Sequence, residues 1–380
     1  MRRKVIYVVS NVSDSKEYDQ LIRYWDRERY ELEFVLMNPF QECGLQDNIR
    51  NAGLPCTTLP YRGKLDIPRT VFKLMRLLRD RRPDVVHTNL LDAAFVGLLA
   101  AWLSGIRGRV NTRHHAMHNH KYHPIKGVLY DRILNALSTR IIAITHSNQE
   151  ILIDKEGVQK EKVLMLHHGF DMEQARKDPA RMAMLRERYA DMLDGHGPIV
   201  GIISRPFDWK GLDHSIPALE RIFDHYPDAR VLLFNWRSTP FSDRYERMLG
   251  SLPKGSWRTI EFEPGVDQMF HLFDVFVHVP EDRFAEAFGL VYIEALLAGV
   301  PSIFTSSGIM HDLVDLPLKG VHMVPFQDRA AIENAVLQVL HSPPTMEDRE
   351  KMAEANKHLL RPILDVRSRS ERLYALYDEV

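Results

Sequence analysis

Short apolar runs alternate with amphipathic stretches along almost the whole chain, the rhythm of parallel sheets with crossover helices. The apolar runs predict strands over Lys4–Ser10, Leu32–Met37, Thr57–Tyr61, Asp84–Asn89, Arg109–His114, Arg140–Thr145 and Val163–His168. Amphipathic spacing between them predicts helices over Pro68–Arg81, Asp92–Ser104 and Ile125–Ser138. The same alternation then restarts, with strands over Pro198–Arg205, Arg230–Trp236, Thr259–Glu263, Asp274–Val279, Ser302–Ser306 and Val321–Pro325. The break is a polar Gly/Pro-rich stretch at 193–198 that follows a helix-like segment over Pro179–Ala190. The pattern thus predicts an α/β chain of two doubly wound, Rossmann-like domains, 1–193 and 194–360. A C-terminal helix over 361–380 is expected to pack back on the first domain. Sites in such folds lie at the carboxyl ends of the strands, here in the cleft between the domains.

Composition narrows the class. The chain has 380 residues, 45% hydrophobic and 27% charged, the profile of an ordinary globular protein of about two domains. No run approaches the eighteen apolar residues of a membrane span. MRRKVIYVVSN at the start has too short an apolar run for a signal peptide and reads as a first buried strand. Two cysteines, Cys43 and Cys56, argue against a disulfide framework or a cysteine-based zinc site and fit a reducing cytoplasm. The net charge of −1 hides an asymmetry: residues 1–190 carry +9 and residues 191–380 carry −10. The halves therefore either meet different partners or simply attract one another.

Two segments carry chemistry. In EAFGLVYIEALLAGVP (286–301), Glu286 sits just before a predicted helix start and Glu294 two turns inside it. Free N–H groups at a helix start suit a phosphate, and Gly289 lets an anion approach the backbone. Glu294, within an apolar helix, suits the vicinal hydroxyls of a ribose. Either glutamate alone reads equally as a cap-region acid or a salt-bridged interior charge. In GIISRPFDWKG (201–211), Arg205 ends a strand and Lys210 precedes a helix, two cations placed for a diphosphate or else solvated surface residues. A histidine cluster, His114, His115, His118, His120 and His123, lacks nearby carboxylates or cysteines, so metal is the weaker reading. His114, at a strand end, is expected to reach the cleft and the others to be solvated loop residues. His167-His168-Gly169 either lines that cleft or closes a turn.

The pattern E-x-F-G-L-x-x-x-E-A-x-x-x-G-x-P resembles the signature of family-4 retaining glycosyltransferases with the GT-B fold. Three further pieces match in order: S-R-x-x-x-x-K-G at 204–211, T-x-H at 112–114, and H-G-F-D at 168–171 where the family often has N-G-x-D. The resemblance implies transfer of a sugar from a nucleotide-diphosphate donor with retained configuration and neither metal nor cofactor. Arg205 and Lys210 would hold the diphosphate. Glu286 would bind the sugar hydroxyls, with amides of Phe288, Gly289 and Leu290 nearby, and Glu294 the ribose. His114 would sit by the donor sugar. The chain departs from the family at SNVSDSKEYD (10–19), which lacks the usual Gly pair, and at Ser307-Gly308-Ile309-Met310-His311-Asp312, which replaces Gly-Gly-x-x-Glu.

The expected partners are a nucleotide-sugar donor and a glycan or lipid-linked acceptor, with no nucleic acid. The alternatives are a GT-B-fold sugar-nucleotide epimerase or a non-catalytic nucleotide-sugar-binding protein. On the predicted helix Pro68–Arg81, Arg69, Lys73 and Arg76 recur at helical spacing beside Val71, Leu74, Leu77 and Leu78. That face reads either as an ordinary helix packed on a sheet or as a peripheral contact with an anionic membrane at the inner leaflet.

Overall fold

The computed structural model describes residues 2–40, 42–173, 177–195 and 197–380. The chain divides into two compact units, Met1–Asp171 with Ile363–Val380, and Met172–Pro362. All thirteen predicted strands are present, within a few residues of their expected ends. His196, in the predicted linker, lies outside the described residues.

The first unit is built on β1 (Arg3–Ser10), β2 (Tyr30–Asn38), β3 (Cys56–Pro60), β4 (Val85–Asn89), β5 (Gly108–Arg113), β6 (Arg140–Ala143) and β7 (Val163–Met165). They form one parallel sheet in the order β3-β2-β1-β4-β5-β6-β7. The strand order reverses between β1 and β4, the position where doubly wound sheets open a crevice at their carboxyl edge. β1 is central and buried over Val5–Ser10, which is why its apolar run shows no alternation. The helix Ile67–Arg81 lays Val71, Leu74 and Leu78 on this sheet and ends where Arg82 turns left-handed.

The second unit repeats the plan with β8 (Ile199–Ile203), β9 (Arg230–Phe234), β10 (Trp257–Ile260), β11 (Val275–His278), β12 (Ser302–Phe304) and β13 (Val321–Met323). Its order is β10-β9-β8-β11-β12-β13, with the reversal between β8 and β11. Residues 172–193, placed with the first domain from their sequence, group with this unit. The cause is packing: Leu185 is fully buried, and Arg188 and the Tyr189 hydroxyl both bond Glu263 at 2.7 and 2.8 Å. The linker composition marks a turn, whereas contacts invisible in the sequence decide which sheet owns the helix Pro179–Arg188.

The helix Val366–Glu379 belongs to the first unit. Asp365 caps it by accepting from the amides of Arg367 and Ser368. Tyr374 stacks on Tyr30 at 4.8 Å, and Trp25 meets Tyr374 edge-on at 5.5 Å. Deeper, the Tyr377 hydroxyl lies 2.6 Å from His87 Nδ1 and donates to the Tyr7 hydroxyl at 2.8 Å, while His87 Nε2 faces Thr112 Oγ1 at 2.7 Å. All four side chains are buried, so each polar atom depends on the next. Replacing Tyr377 by Phe should therefore cost about 1–3 kcal/mol of first-unit stability. Denaturant unfolding of the variant, followed by tyrosine and tryptophan fluorescence, should show a lowered midpoint, and an unchanged midpoint would contradict the network.

Candidate active site

The elements that flank the second sheet's reversal bring the sequence-predicted donor residues together. Arg205 follows β8 by two residues, and His278 ends β11. The loop after β8 turns through Asp208–Lys210 into the helix Leu212–Ile222. Gly211, at φ +71°, presses this turn against the β11 end, where a β-carbon would meet the Val279 carbonyl at 1.8 Å. The Glu281 amide donates to the Trp209 carbonyl at 3.1 Å, a second tie between the two loops. Only a glycine permits that approach, so the K-G pair of the motif works as a unit.

The result is an ion pair between Lys210 Nζ and Glu286 Oε1. His278 Nε2 lies 2.9 Å from the same oxygen. The Glu286 amide donates to Ser307 Oγ at 3.0 Å, so the segment that departs from the family pattern braces the glutamate. Gly308, left-handed at φ +56°, sits against the Phe288 carbonyl and leaves no space for a side chain. Glu286 is only 8% exposed. Burial alone would raise its carboxyl pKa, but Lys210, and then His278, outweigh that and bring it down to about 2. Burial holds His278 below the usual imidazole range, against the pull of Glu286, so it donates as a neutral ring.

The helix Leu290–Ala298 starts beside this cluster, with Gly289 left-handed at φ +85° and the Tyr292 ring where its β-carbon would be. Phe288 is buried and Leu290 exposed. The Gly289 and Leu290 amides make no hydrogen bond among the described residues and stand at a helix start, an arrangement that favours an anion. Glu294 lies half-buried in the second turn, between buried Ile293 and Ala295. Arg205 is exposed, with its guanidinium over the Phe207 ring at 5.1 Å, and Phe207 stacks on Trp209 at 4.2 Å. The structure thus joins Lys210, Glu286, Phe288, Gly289 and Leu290 around one point, with Arg205 and Glu294 flanking it. His278 was not anticipated, because only the fold turns the segment after β11 back so that Glu286 meets its ring.

His114 belongs to the first unit, at the carboxyl end of β5. Its Nε2 lies 3.0 Å from Asn89 Oδ1, and its ring lies over that of His168 at 5.5 Å. Burial lowers its pKa to about 4 despite the neighbouring Glu17, so the ring is neutral at neutral pH. His168 contacts Glu17 Oε1 at 3.1 Å, and Arg369 Nη2 approaches the same oxygen at 3.7 Å. The segment without its Gly pair begins the helix Lys16–Arg23, whose first turn brings the Glu17 carboxylate to His168, the position that differs from the family's asparagine. Two other histidines of the cluster are not solvated loop residues, contrary to expectation. His115 pairs with Asp131 at 3.0 Å and His120 with Glu156 at 3.2 Å. Both carboxylates are buried to neutralise Arg113, which is 2% exposed, and the histidines complete that network.

Comparison with known proteins bears on this geometry. Residues 18–174 match the model of Glycosyltransferase Family 4, and residues 187–359 match that of Glycosyl transferases group 1. The chain belongs to the family-4 glycosyltransferases. A curated relative, the GDP-mannose-dependent alpha-(1-6)-phosphatidylinositol monomannoside mannosyltransferase of Mycolicibacterium smegmatis, is 31% identical over 184 residues. That match spans 46% of this chain and 46% of the relative, so the chain aligns with about half the length of the curated protein it matches. Among solved structures, Anabaena HepE in complex with UDP-glucose superposes with a TM-score of 0.80 at 17% identity, covering 99% of this chain and 100% of that one. UDP-GlcNAc 2-epimerase from Neisseria meningitidis gives 0.65 at 15%, covering 99% and 100%. At these identities the two structures speak for the fold: two parallel-sheet, Rossmann-like domains with GT-B neighbours.

The pKa of Glu286 makes a stability prediction. A carboxyl whose folded pKa is depressed stabilises the fold fully above its unfolded pKa of about 4.3 and loses that stabilisation as pH falls towards 2. Thermal unfolding between pH 5 and 2 should thus be steeply pH-dependent in the native protein and shallower in Glu286→Gln. Parallel slopes would show that the pair contributes nothing.

Proposed function

We propose that the chain is a retaining glycosyltransferase that moves a hexose from a nucleotide-diphosphate sugar to a glycan or lipid-linked acceptor without a metal ion. The observation that carries this reading is the convergence of Arg205, Lys210, Glu286 and the first-turn amides at the β8/β11 reversal. As the acceptor hydroxyl oxygen bonds the anomeric carbon, the bond from that carbon to the diphosphate breaks, and the diphosphate leaves with the electron pair and takes up the hydroxyl's proton on its departing oxygen. The leaving group gains charge, and preorganised cations and N–H donors stabilise charge where it develops. Arg205 and Lys210 would take the diphosphate, aided by Gly289 and Leu290. Glu286 would accept from sugar hydroxyls and Glu294 from the ribose, and neutral His114 is the first unit's own candidate for a hydrogen bond to substrate. The mannosyltransferase relative and the HepE complex make GDP-mannose and UDP-glucose the first donors to test.

A lipid-linked acceptor is supported by the surface of the first unit. Three neighbouring helices, Ile67–Arg81, Leu91–Leu103 and Lys126–Leu137, flank its sheet. They and their flanks expose Phe72 (69%), Trp102 (54%), Ile125 (81%) and Leu129 (58%) beside exposed Arg69, Lys73, Arg76, Lys126 and Arg132. Aromatic and aliphatic side chains among basic ones suit the interface of an anionic bilayer. No helix among the described residues is long and apolar enough to cross a membrane.

Release of nucleoside diphosphate from GDP-mannose or UDP-glucose, in the presence of a glycan or glycolipid acceptor, tests the reaction. Arg205→Ala should lower turnover roughly 10²–10³-fold with folding unchanged, and EDTA should leave it intact. Wild-type turnover in the variant contradicts the donor site. Loss in EDTA restored by a divalent ion would turn attention to Glu17, His114 and His168, whose ligand atoms lie within 4.8 Å of one another. Turnover of the sugar nucleotide without acceptor would favour the epimerase.

For the membrane, the protein should sediment with phosphatidylglycerol vesicles, less so as salt rises and screening shortens. Equal binding to neutral vesicles, or to none, contradicts the contact.

A further inference from the structure

Glu286 offers two carboxylate oxygens, and the protein uses them unequally. Lys210 Nζ and His278 Nε2 both engage Oε1. Among the described residues no side chain or backbone group donates to Oε2. A carboxylate has about four lone-pair sites, so a buried one with all its donors on one oxygen keeps half its capacity unspent. The backbone on the other side is fixed as well, by the Ser307 hydroxyl and by Gly308 packed on the glutamate's own β-carbon at 2.8 Å from its virtual β-carbon. The glutamate is therefore oriented, not merely neutralised.

Of the two groups on Oε1, only His278 has no competing task in the proposed reaction. Lys210 is flexible and is asked to reach a diphosphate. His278 is rigid: it ends β11, its ring lies over Phe276 at 6.2 Å with planes 10° apart, and the Tyr292 ring meets it edge-on at 4.8 Å. Tyr292 is in turn the residue that forbids a side chain at Gly289. The imidazole, Glu286 and the helix start are thus packed as one block. When Lys210 turns to an anion, His278 is the donor that remains to hold Oε1.

We propose that His278 is a positioning residue for the donor sugar, pinning Oε1 of Glu286 so that Oε2 accepts from a sugar hydroxyl. The inference rests on the donor-site reading above and adds to it a residue and a division of labour within the carboxylate. Its consequence is selective. The nucleotide and diphosphate do not need Oε2, whereas the sugar does.

The test compares each sugar nucleotide with its sugar-free counterpart by calorimetry: GDP-mannose against GDP, and UDP-glucose against UDP. His278→Phe keeps an aromatic ring against Phe276 and Tyr292 but removes the donor. It should weaken binding of the sugar nucleotide that wild type prefers about tenfold, and change the matching nucleoside diphosphate less than twofold. His278→Gln, which restores an N–H donor, should recover most of the loss and serves also if the Phe variant folds poorly. Equal affinity of wild type and both variants for the sugar nucleotide overturns the proposal, as does a parallel loss for the nucleoside diphosphate in both. Glu286→Ala separates the two levels of the account. If it weakens sugar-nucleotide binding while His278→Phe and His278→Gln do not, only the role of His278 fails. If Glu286→Ala binds the sugar nucleotide like wild type, the donor-site reading itself fails.

Discussion

A carboxylate as buried as Glu286 stays ionised only if its desolvation is offset by cations and donors at hydrogen-bond range. In this chain the offset comes from two loops that the sheet topology forces together. β8 and β11 are sequence-distant but adjacent at the reversal of strand order, so the Lys210 turn and the β11 end meet there. Gly211 allows the turns to touch, Gly289 gives the helix start its left-handed entry, and Gly308 closes the block from behind. Without Lys210, only the His278 ring would offset the burial of Glu286. The same arrangement that keeps Glu286 charged leaves one oxygen of the carboxylate, the exposed Arg205 and a pair of amides for a ligand.

The first unit solves a related problem differently. Its buried Arg113 is neutralised internally by Asp131 and Glu156, and these are met in turn by His115 and His120. Its carboxyl edge carries His114, His168 and Glu17, with Arg369 contributed by the C-terminal helix. That helix is an integral part of this unit, since Tyr374 and Tyr377 complete its aromatic and hydrogen-bonded core. Within the histidine-rich stretch His115 and His120 are structural, and the residue expected to work chemically, His114, is held neutral by its surroundings.

The strands and the main helices were legible because their signals are local: β-branched runs bounded by Gly and Pro, and apolar residues at helical spacing. Glu286 and Lys210 were legible as types at strand and helix ends, and the resemblance to a family supplied their roles. Three things were not legible. The ownership of the helix Pro179–Arg188 depends on Glu263, far along the chain. The pairing of His115 and His120 depends on Arg113 needing two carboxylates from other elements. His278 looks like any histidine in an apolar strand until Glu286 is placed beside it. Each is a long-range pairing, and periodicity carries no information about such pairs.

A crystal structure of the protein soaked with GDP-mannose or UDP-glucose would show whether Glu286 holds the sugar beside a bound diphosphate. The diphosphate should lie on Arg205, Lys210 and the Gly289 and Leu290 amides, with a sugar hydroxyl within hydrogen-bond distance of Glu286 Oε2 and Oε1 still on His278. A diphosphate bound elsewhere, or a sugar that leaves Oε2 to solvent, would contradict this arrangement.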